Sequence, residues 1–239
     1  MTVNGRLRSG QAADLKSELR RGLLVMAVVL AGAGAAAQTL PDAPLAMASA
    51  SPSTAGQASH AWSFTASAYT YLVPEDRDYV QPTVAAEQGR LHLEARYNYE
   101  HFDTASVWIG WRFDADGTLA AELTPMVGGV FGDTKGVAPG YKGSLTWRML
   151  ELYSEGEYLF DTANSHDSFF YNWSELTLAP ADWFRFGVVT QRTRAYEADR
   201  DIQRGVLIGF SYRSVDLSVD VFNPDESRPL VVIALALKF

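Results

Sequence analysis

Cysteine is absent from all 239 residues. Disulfides and thiolate metal sites are therefore excluded, and stability must come from hydrogen bonding and packing. Long apolar runs are missing as well. Beyond residue 38 no stretch reaches the ~18 apolar residues of a transmembrane helix. Basic charge is scarce, with 20 Lys and Arg against 28 Asp and Glu. A chain of that balance is not expected to take nucleic acid as a partner.

What is present begins with an export pattern. Arg6, Arg8, Lys16, Arg20 and Arg21 precede an uncharged run, GLLVMAVVLAGAGAAAQ, that starts at Gly22. Leu23–Ala31 forms its apolar core, and Ala35-Ala36-Ala37 offers a small-residue cleavage site. This order predicts a signal peptide over residues 1–37. Its removal takes away those five basic residues together with Asp14 and Glu18, which makes the remaining chain more acidic. Residues 38–60 are rich in Ala, Ser and Pro without a period and predict a flexible periplasmic tail. One domain is expected from 61 to 239. An exported chain that enters a membrane without helices must close its sheet into a barrel, because open edges cannot face lipid.

From Trp62 onward the chain divides into short segments of period-two alternation separated by turn-forming clusters. In Leu91–Glu100, Leu91, Leu93, Ala95, Tyr97 and Tyr99 fall on one face, and His92, Glu94, Arg96, Asn98 and Glu100 on the other. A helix would repeat its apolar positions at three and four instead. Twelve strands are predicted, at 62–73, 79–87, 90–99, 104–114, 118–131, 138–147, 150–160, 168–178, 183–196, 201–213, 215–222 and 229–239. The fold class is all-β, a single antiparallel transmembrane barrel with both chain ends on one side.

The alternation assigns sides. Val107, Ile109, Trp111, Phe113, Leu123, Phe186, Val206, Ile208, Phe210 and Leu217 are expected toward lipid. Trp62, Tyr97, Tyr99, Phe131, Phe160, Trp183 and Tyr212 are expected near strand ends, where aromatic girdles form. Glu94, Arg96, Arg112, Glu122, Glu155, Glu157, Glu175, Arg185, Arg204, Asp216, Asp220 and Lys238 are expected to line the lumen. A charge facing lipid costs roughly 2–4 kcal/mol near the midplane, so these residues constrain the register. Short connections are expected at Gln88-Gly89, Asp114-Ala115-Asp116-Gly117, Pro180-Ala181-Asp182 and Val215. The alternate connections are longer and acidic, at 74–78, 100–103, 132–138, 161–167, 196–201 and 223–228. Short periplasmic turns and longer external loops are the outer-membrane arrangement. An acidic outer rim predicts a weak preference for cations.

The chain closes on PLVVIALALKF, in which Val231, Ile233, Leu235, Leu237 and Phe239 alternate with smaller residues and Lys238. This segment resembles the carboxyl-terminal signal strand of outer-membrane β-barrels. The resemblance implies that Phe239, Leu237 and Leu235 form the insertion signal. The barrel-insertion machinery and outer-membrane lipid would then be partners. Across residues 38–239 the chain resembles small outer-membrane barrels of an uncharacterised family, which implies location in the cell outer membrane of a Gram-negative organism and no assigned activity.

The remaining motifs carry little chemistry. His166-Asp167-Ser168 shares the His-x-Ser spacing of outer-membrane phospholipases and lipid A deacylases, but Phe169 follows the serine and the trio falls in a loop. Catalysis by His166 and Ser168 is the alternative reading, that of a lipid-modifying hydrolase. The acidic start at Asp114 lacks the glycine and the twelfth-position glutamate of a calcium loop, since Leu119 and Pro125 stand there. No cofactor and no metal ligand set is expected, and the chain is read as a non-enzyme. A soluble lipocalin-like binding barrel is a third reading, opposed by the export signal and the aromatic pattern. The preferred one is a narrow porin-like passive channel for small solutes or ions, or a structural barrel with an ion-paired lumen.

Overall fold

Thirteen strands pair into one closed sheet in a computed structural model that describes residues 61–74, 76–195 and 201–239. The expected signal peptide, the tail and residues 196–200 of one long loop lie outside the described residues. The strands are β1 (Ser63–Leu72), β2 (Tyr79–Gln88), β3 (Leu91–Tyr97), β4 (Thr104–Trp111), β5 (Phe113–Ala115), β6 (Ala120–Gly132), β7 (Gly136–Trp147) and β8 (Leu150–Asp161). They continue as β9 (Phe169–Ala181), β10 (Phe184–Ala195), β11 (Asp201–Tyr212), β12 (Val215–Phe222) and β13 (Leu230–Lys238). Every pairing is antiparallel, and all but β4 with β6 and β13 with β1 join strands adjacent in the chain. Both β4 and β5 pair with β6, so the short β5 continues the stave of β4 past Arg112. The barrel therefore has twelve staves, with β5 as an extra piece of the fourth.

The last strand closes the ring. β13 pairs with β1 from Thr65↔Lys238 to Leu72↔Val231. Beyond it, the Phe64 N–H donates to the Phe239 carbonyl at 2.9 Å and the Phe239 N–H returns the bond at 3.0 Å. Their rings stack 6.2 Å apart. Among the described residues no sheet edge is left open, which is the condition for a sheet surrounded by lipid.

Alternation turns one face of each stave outward. Along β4, Ser106 and Trp108 are buried while Val107, Ile109 and Trp111 are about half exposed. The outer surface carries a continuous apolar belt that includes Leu123, Val127, Val188, Val206 and Ile208. Such a belt on a protein in water would be an association liability. Aromatic side chains frame it: Trp111, Phe113, Trp147, Trp183, Tyr212 and Phe239 at the rim of short turns, Phe131 and Phe160 at the rim of longer loops. A few polar residues face outward on β7, β8 and β9. They satisfy one another: Asn172 donates to the Tyr141 hydroxyl at 3.0 Å and to the Glu155 carbonyl at 2.9 Å, and Ser154 and Ser174 share a 2.9 Å bond. Internal partners of this kind remove the penalty of placing polar groups beside lipid.

Several local expectations shift. Asn98 adopts φ +57°, a conformation that asparagine tolerates better than most residues. The strand alternation breaks there, and Tyr99, expected outward beside Tyr97, turns into the barrel. The turn expected at Val215 lies at Arg213-Ser214, where Arg213 takes φ +53° and Val215 already pairs with Leu237. Asp114 and Ala115 extend the sheet as part of β5, and the turn moves to residues 116–119. Pro180 and Ala181 belong to β9, beside a register shift between Phe184 and Phe186. Gly89, with φ +59°, makes the β2–β3 turn where it was expected.

Candidate functional site: the interior of the barrel

The interior is built from the other face of the same alternation. At the rim of short turns, Arg112 pairs with Glu87 at 3.0 Å and with Asp114 at 3.1 Å. Glu122, on β6, stands within range of the same arginine. His92 bridges Glu87 and Glu94, with 3.1 Å to each. On the opposite wall, the guanidinium of Arg185 grips Asp216 through two bonds of 2.7 and 2.8 Å, a bidentate fork. The Ser211 hydroxyl donates to the same carboxylate at 2.6 Å. Lys238 shares the inner face of β13 with Val232 and Ala234, and its charge acts on Glu87.

At mid-height, charges meet across the lumen. Arg96, on β3, donates through Nε to Glu94 and through Nη1 to Glu157 on β8, the latter at 2.8 Å. Lys142, on β7, donates to Glu94 at 2.5 Å and lies 3.6 Å from Glu155. Glu155 also accepts from the hydroxyls of Tyr99 and Tyr153, both at 2.7 Å. The Arg96 guanidinium is sandwiched between the rings of Tyr99 and Trp108, at 4.2 and 4.5 Å from their centroids, a cation–π arrangement. Trp108 can lie flat there because its partner in register is Gly128, whose hydrogen leaves room for the indole.

An apolar group fills the neighbouring interior. Tyr71, Tyr153, Trp173, Val189, Leu207, Phe222 and Val232 are buried and pack together. Trp173 meets Tyr69 and Phe222 edge to face, at 6.3 and 5.3 Å. Its indole N–H donates to Glu175 at 2.8 Å. Asp220 is 1% exposed, and neither of its carboxyl oxygens has a hydrogen-bond partner among the described residues.

The residues predicted for the lumen thus fall into three places. Glu94, Arg96, Glu155 and Glu157 form the mid-height lattice, with Glu175 and Asp220 beside the apolar group. Arg112, Glu122, Arg185, Asp216 and Lys238 sit toward the short-turn rim. Arg204, expected to line the lumen, lies outside it instead. It is exposed and shares the outer face of β11 with Val206 and Ile208, at the height of the long loops, where its backbone bonds Asn223. The period of two places it there, and at the rim its charge reaches water. The alternation pattern does not single out Lys142. Its strand, β7, is rich in glycine and alternates weakly, so only the position of a lone lysine between Tyr141 and Gly143 pointed to it.

The His166 motif lies in a 3₁₀ turn, Ser165–Asp167, on the loop between β8 and β9. His166 is exposed, whereas Ser168 is 6% exposed and its hydroxyl accepts the Asp161 N–H at 3.1 Å. Asn164 caps the turn through the His166 N–H. The serine oxygen is occupied in holding the end of β8. Replacing Ser168 with alanine is expected to destabilise that loop by about 1 kcal/mol with no change in any hydrolysis of lipid esters, measured by thermal unfolding and ester release.

No family model matches the sequence, and no curated protein matches it. Solved structures do. The chain is similar to a structure of the KdgM porin, with 9% identity and a TM-score of 0.55, over 73% of this chain and 99% of that one. It is similar also to the KdgM porin in complex with disordered oligogalacturonate, with 9% identity and a TM-score of 0.54, over 74% and 99% of the two chains. At that identity the likeness concerns architecture alone: the chain has the fold of an outer-membrane β-barrel of porin type.

Proposed function

We propose that this protein is an outer-membrane channel that passes small solutes or ions through a narrow, charged lumen. One observation carries the reading. Deep inside the barrel, the Lys142 side chain keeps 23% of its exposure and that of Glu155 keeps 14%. The mid-height lattice therefore leaves space beside its charges, which a passage requires and a solid core lacks. The apolar outer belt and the porin fold support the location. Residues 1–37 would direct export, and Phe239, Leu237 and Leu235 would be read by the insertion machinery. Glu94, Arg96, Glu155, Glu157 and Glu175 would line the passage, and the acidic long loops would concentrate cations at its mouth.

The buried group around Trp173 and Phe222 favours a second reading, a structural barrel whose interior is filled. Planar-bilayer recording separates the two. Folded wild-type protein, checked by heat-dependent gel migration, is expected to give small discrete conductance steps. Trp173→Ala removes the largest side chain of the apolar group and is expected to enlarge the steps several-fold. Silence from both proteins, each correctly folded, would establish the structural barrel and end the channel reading.

A further inference from the structure

His92 joins two groups of charges on the inner wall. It stands opposite Glu87 across the β2–β3 pair and shares the inner face of β3 with Glu94. Its Nδ1 lies 3.1 Å from Oε1 of Glu87, and its Nε2 lies 3.1 Å from Oε2 of Glu94. Glu87 continues through Arg112 to Asp114 at the short-turn rim. Glu94 continues to Arg96 and Lys142 at mid-height. On β4 the residue opposite His92 is Gly110, which offers no side-chain group. The other charges that act on this cluster are Glu122 on β6 and Lys238 on β13.

A neutral imidazole carries one N–H, and a carboxylate can only accept. The neutral ring could therefore bond one glutamate and would turn a lone pair toward the other. Two contacts at hydrogen-bond distance require the imidazolium, with a proton on each nitrogen. The two glutamates differ in burial. The Glu94 side chain is fully buried, whereas that of Glu87 keeps 34% of its exposure. A donor lost at a fully buried carboxylate is not replaced by water, so the proton on Nε2 is the one retained. The proton on Nδ1 leaves to water, and Glu87 can turn its charge toward the lumen.

We propose that His92 is a selectivity-determining residue of the lumen: as an imidazolium it clamps Glu87 to the wall, and its deprotonation frees that carboxylate near the short-turn mouth. A freed carboxylate beside the passage raises the local concentration of cations. The preference of the lumen for cations therefore strengthens as pH rises through the titration of this one ring. Imidazole is the side chain suited to such a response near neutral pH. The consequence for ions rests on the channel reading. The clamp itself, two protons on the ring and Glu87 held by one of them, does not depend on conduction.

The test has two arms. In the first, folded protein labelled with nitrogen-15 in its histidines is followed by NMR in detergent, and the signals missing from His92→Gln are those of His92. Near neutral pH both ring nitrogens are expected to carry protons, and titration upward should leave the tautomer protonated on Nε2. A ring with one protonated nitrogen near neutral pH, or a final proton on Nδ1, would overturn the clamp. In the second arm, reversal potentials are read in a potassium chloride gradient at about pH 6 and about pH 9, on either side of the imidazole range. Wild-type protein should gain cation preference several-fold between them, and His92→Gln, folded by heat-dependent gel migration, should show the same preference at both. A rise that persists in His92→Gln and disappears in Glu122→Gln would assign the response to that carboxyl and defeat the proposal. Silence from every folded variant ends the channel reading, and the nitrogen spectrum still decides the clamp.

Discussion

Replacing Arg96 with alanine is expected to be the most damaging single change in the lumen. The guanidinium links Glu94 to Glu157 across the barrel, and the side chains of all three are at most 4% exposed. Its removal leaves two carboxylates facing each other, with Lys142 and His92 remaining only on the Glu94 side. Breaking a buried pair by deleting one partner costs about 3–5 kcal/mol, because the surviving charge is left uncompensated. For a barrel of this size that corresponds to a fall of on the order of 10 °C in the unfolding midpoint. The rings of Tyr99 and Trp108 also lose the guanidinium that both contact. Water drawn in to hydrate Glu157 should widen the wet passage, so the variant is expected to be less stable and more conductive at once. The triple change Arg96→Ala, Glu94→Gln, Glu157→Gln should recover most of the stability, since it removes the charges that were stranded. Thermal unfolding and bilayer recording of the same preparations check both effects. If Arg96→Ala matches wild type in midpoint and conductance, the lattice does not hold the lumen together.

The second large effect concerns the outer face. Val206 lies midway along β11, between Val188 and Val221 in register, and is 49% exposed. With lipid around it, Val206→Arg should cost roughly 2–4 kcal/mol. Ile202, equally exposed, stands on the same face near the long-loop rim. Ile202→Arg should cost only about 0–1 kcal/mol, because the penalty falls toward the interface. Unfolding in urea from lipid vesicles measures both. Equal costs at the two depths would mean that no lipid layer surrounds this belt. Arg204, between these positions in sequence, supplies a natural comparison, since a charge already stands there at the rim.

Much of this architecture is legible in the chain itself. The split of Leu91–Glu100 into two faces identifies β3 and its inward charges with no structure at all, because side chains in a strand alternate without exception until the backbone bends. The same rule, followed strictly, would have placed Arg204 outside with Val206 and Ile208. The expectation that a charge must face inward overrode it, and the structure resolves the conflict by height: near a rim, an outward arginine is not in lipid. Tyr99 shows the opposite failure. Strict alternation puts it outside with Tyr97, but the left-handed backbone at Asn98 reverses the side on which the next residue falls. A dihedral of that kind depends on the Asn98 side chain donating to the Val80 carbonyl on β2 and accepting the Asp103 N–H across its own loop.

The sequence by itself determines the strand count, the antiparallel order, the apolar outer face and the scarcity of positive charge. These follow from periodicity and composition, which are local. Only the tertiary structure decides who meets whom across the lumen. Arg96 and Glu157 are 61 residues apart, and their contact follows from barrel closure and stagger, which no local pattern encodes. The same closure sets Asp220 between Leu207 and Val232 and leaves its carboxyl oxygens without a hydrogen-bond partner among the described residues.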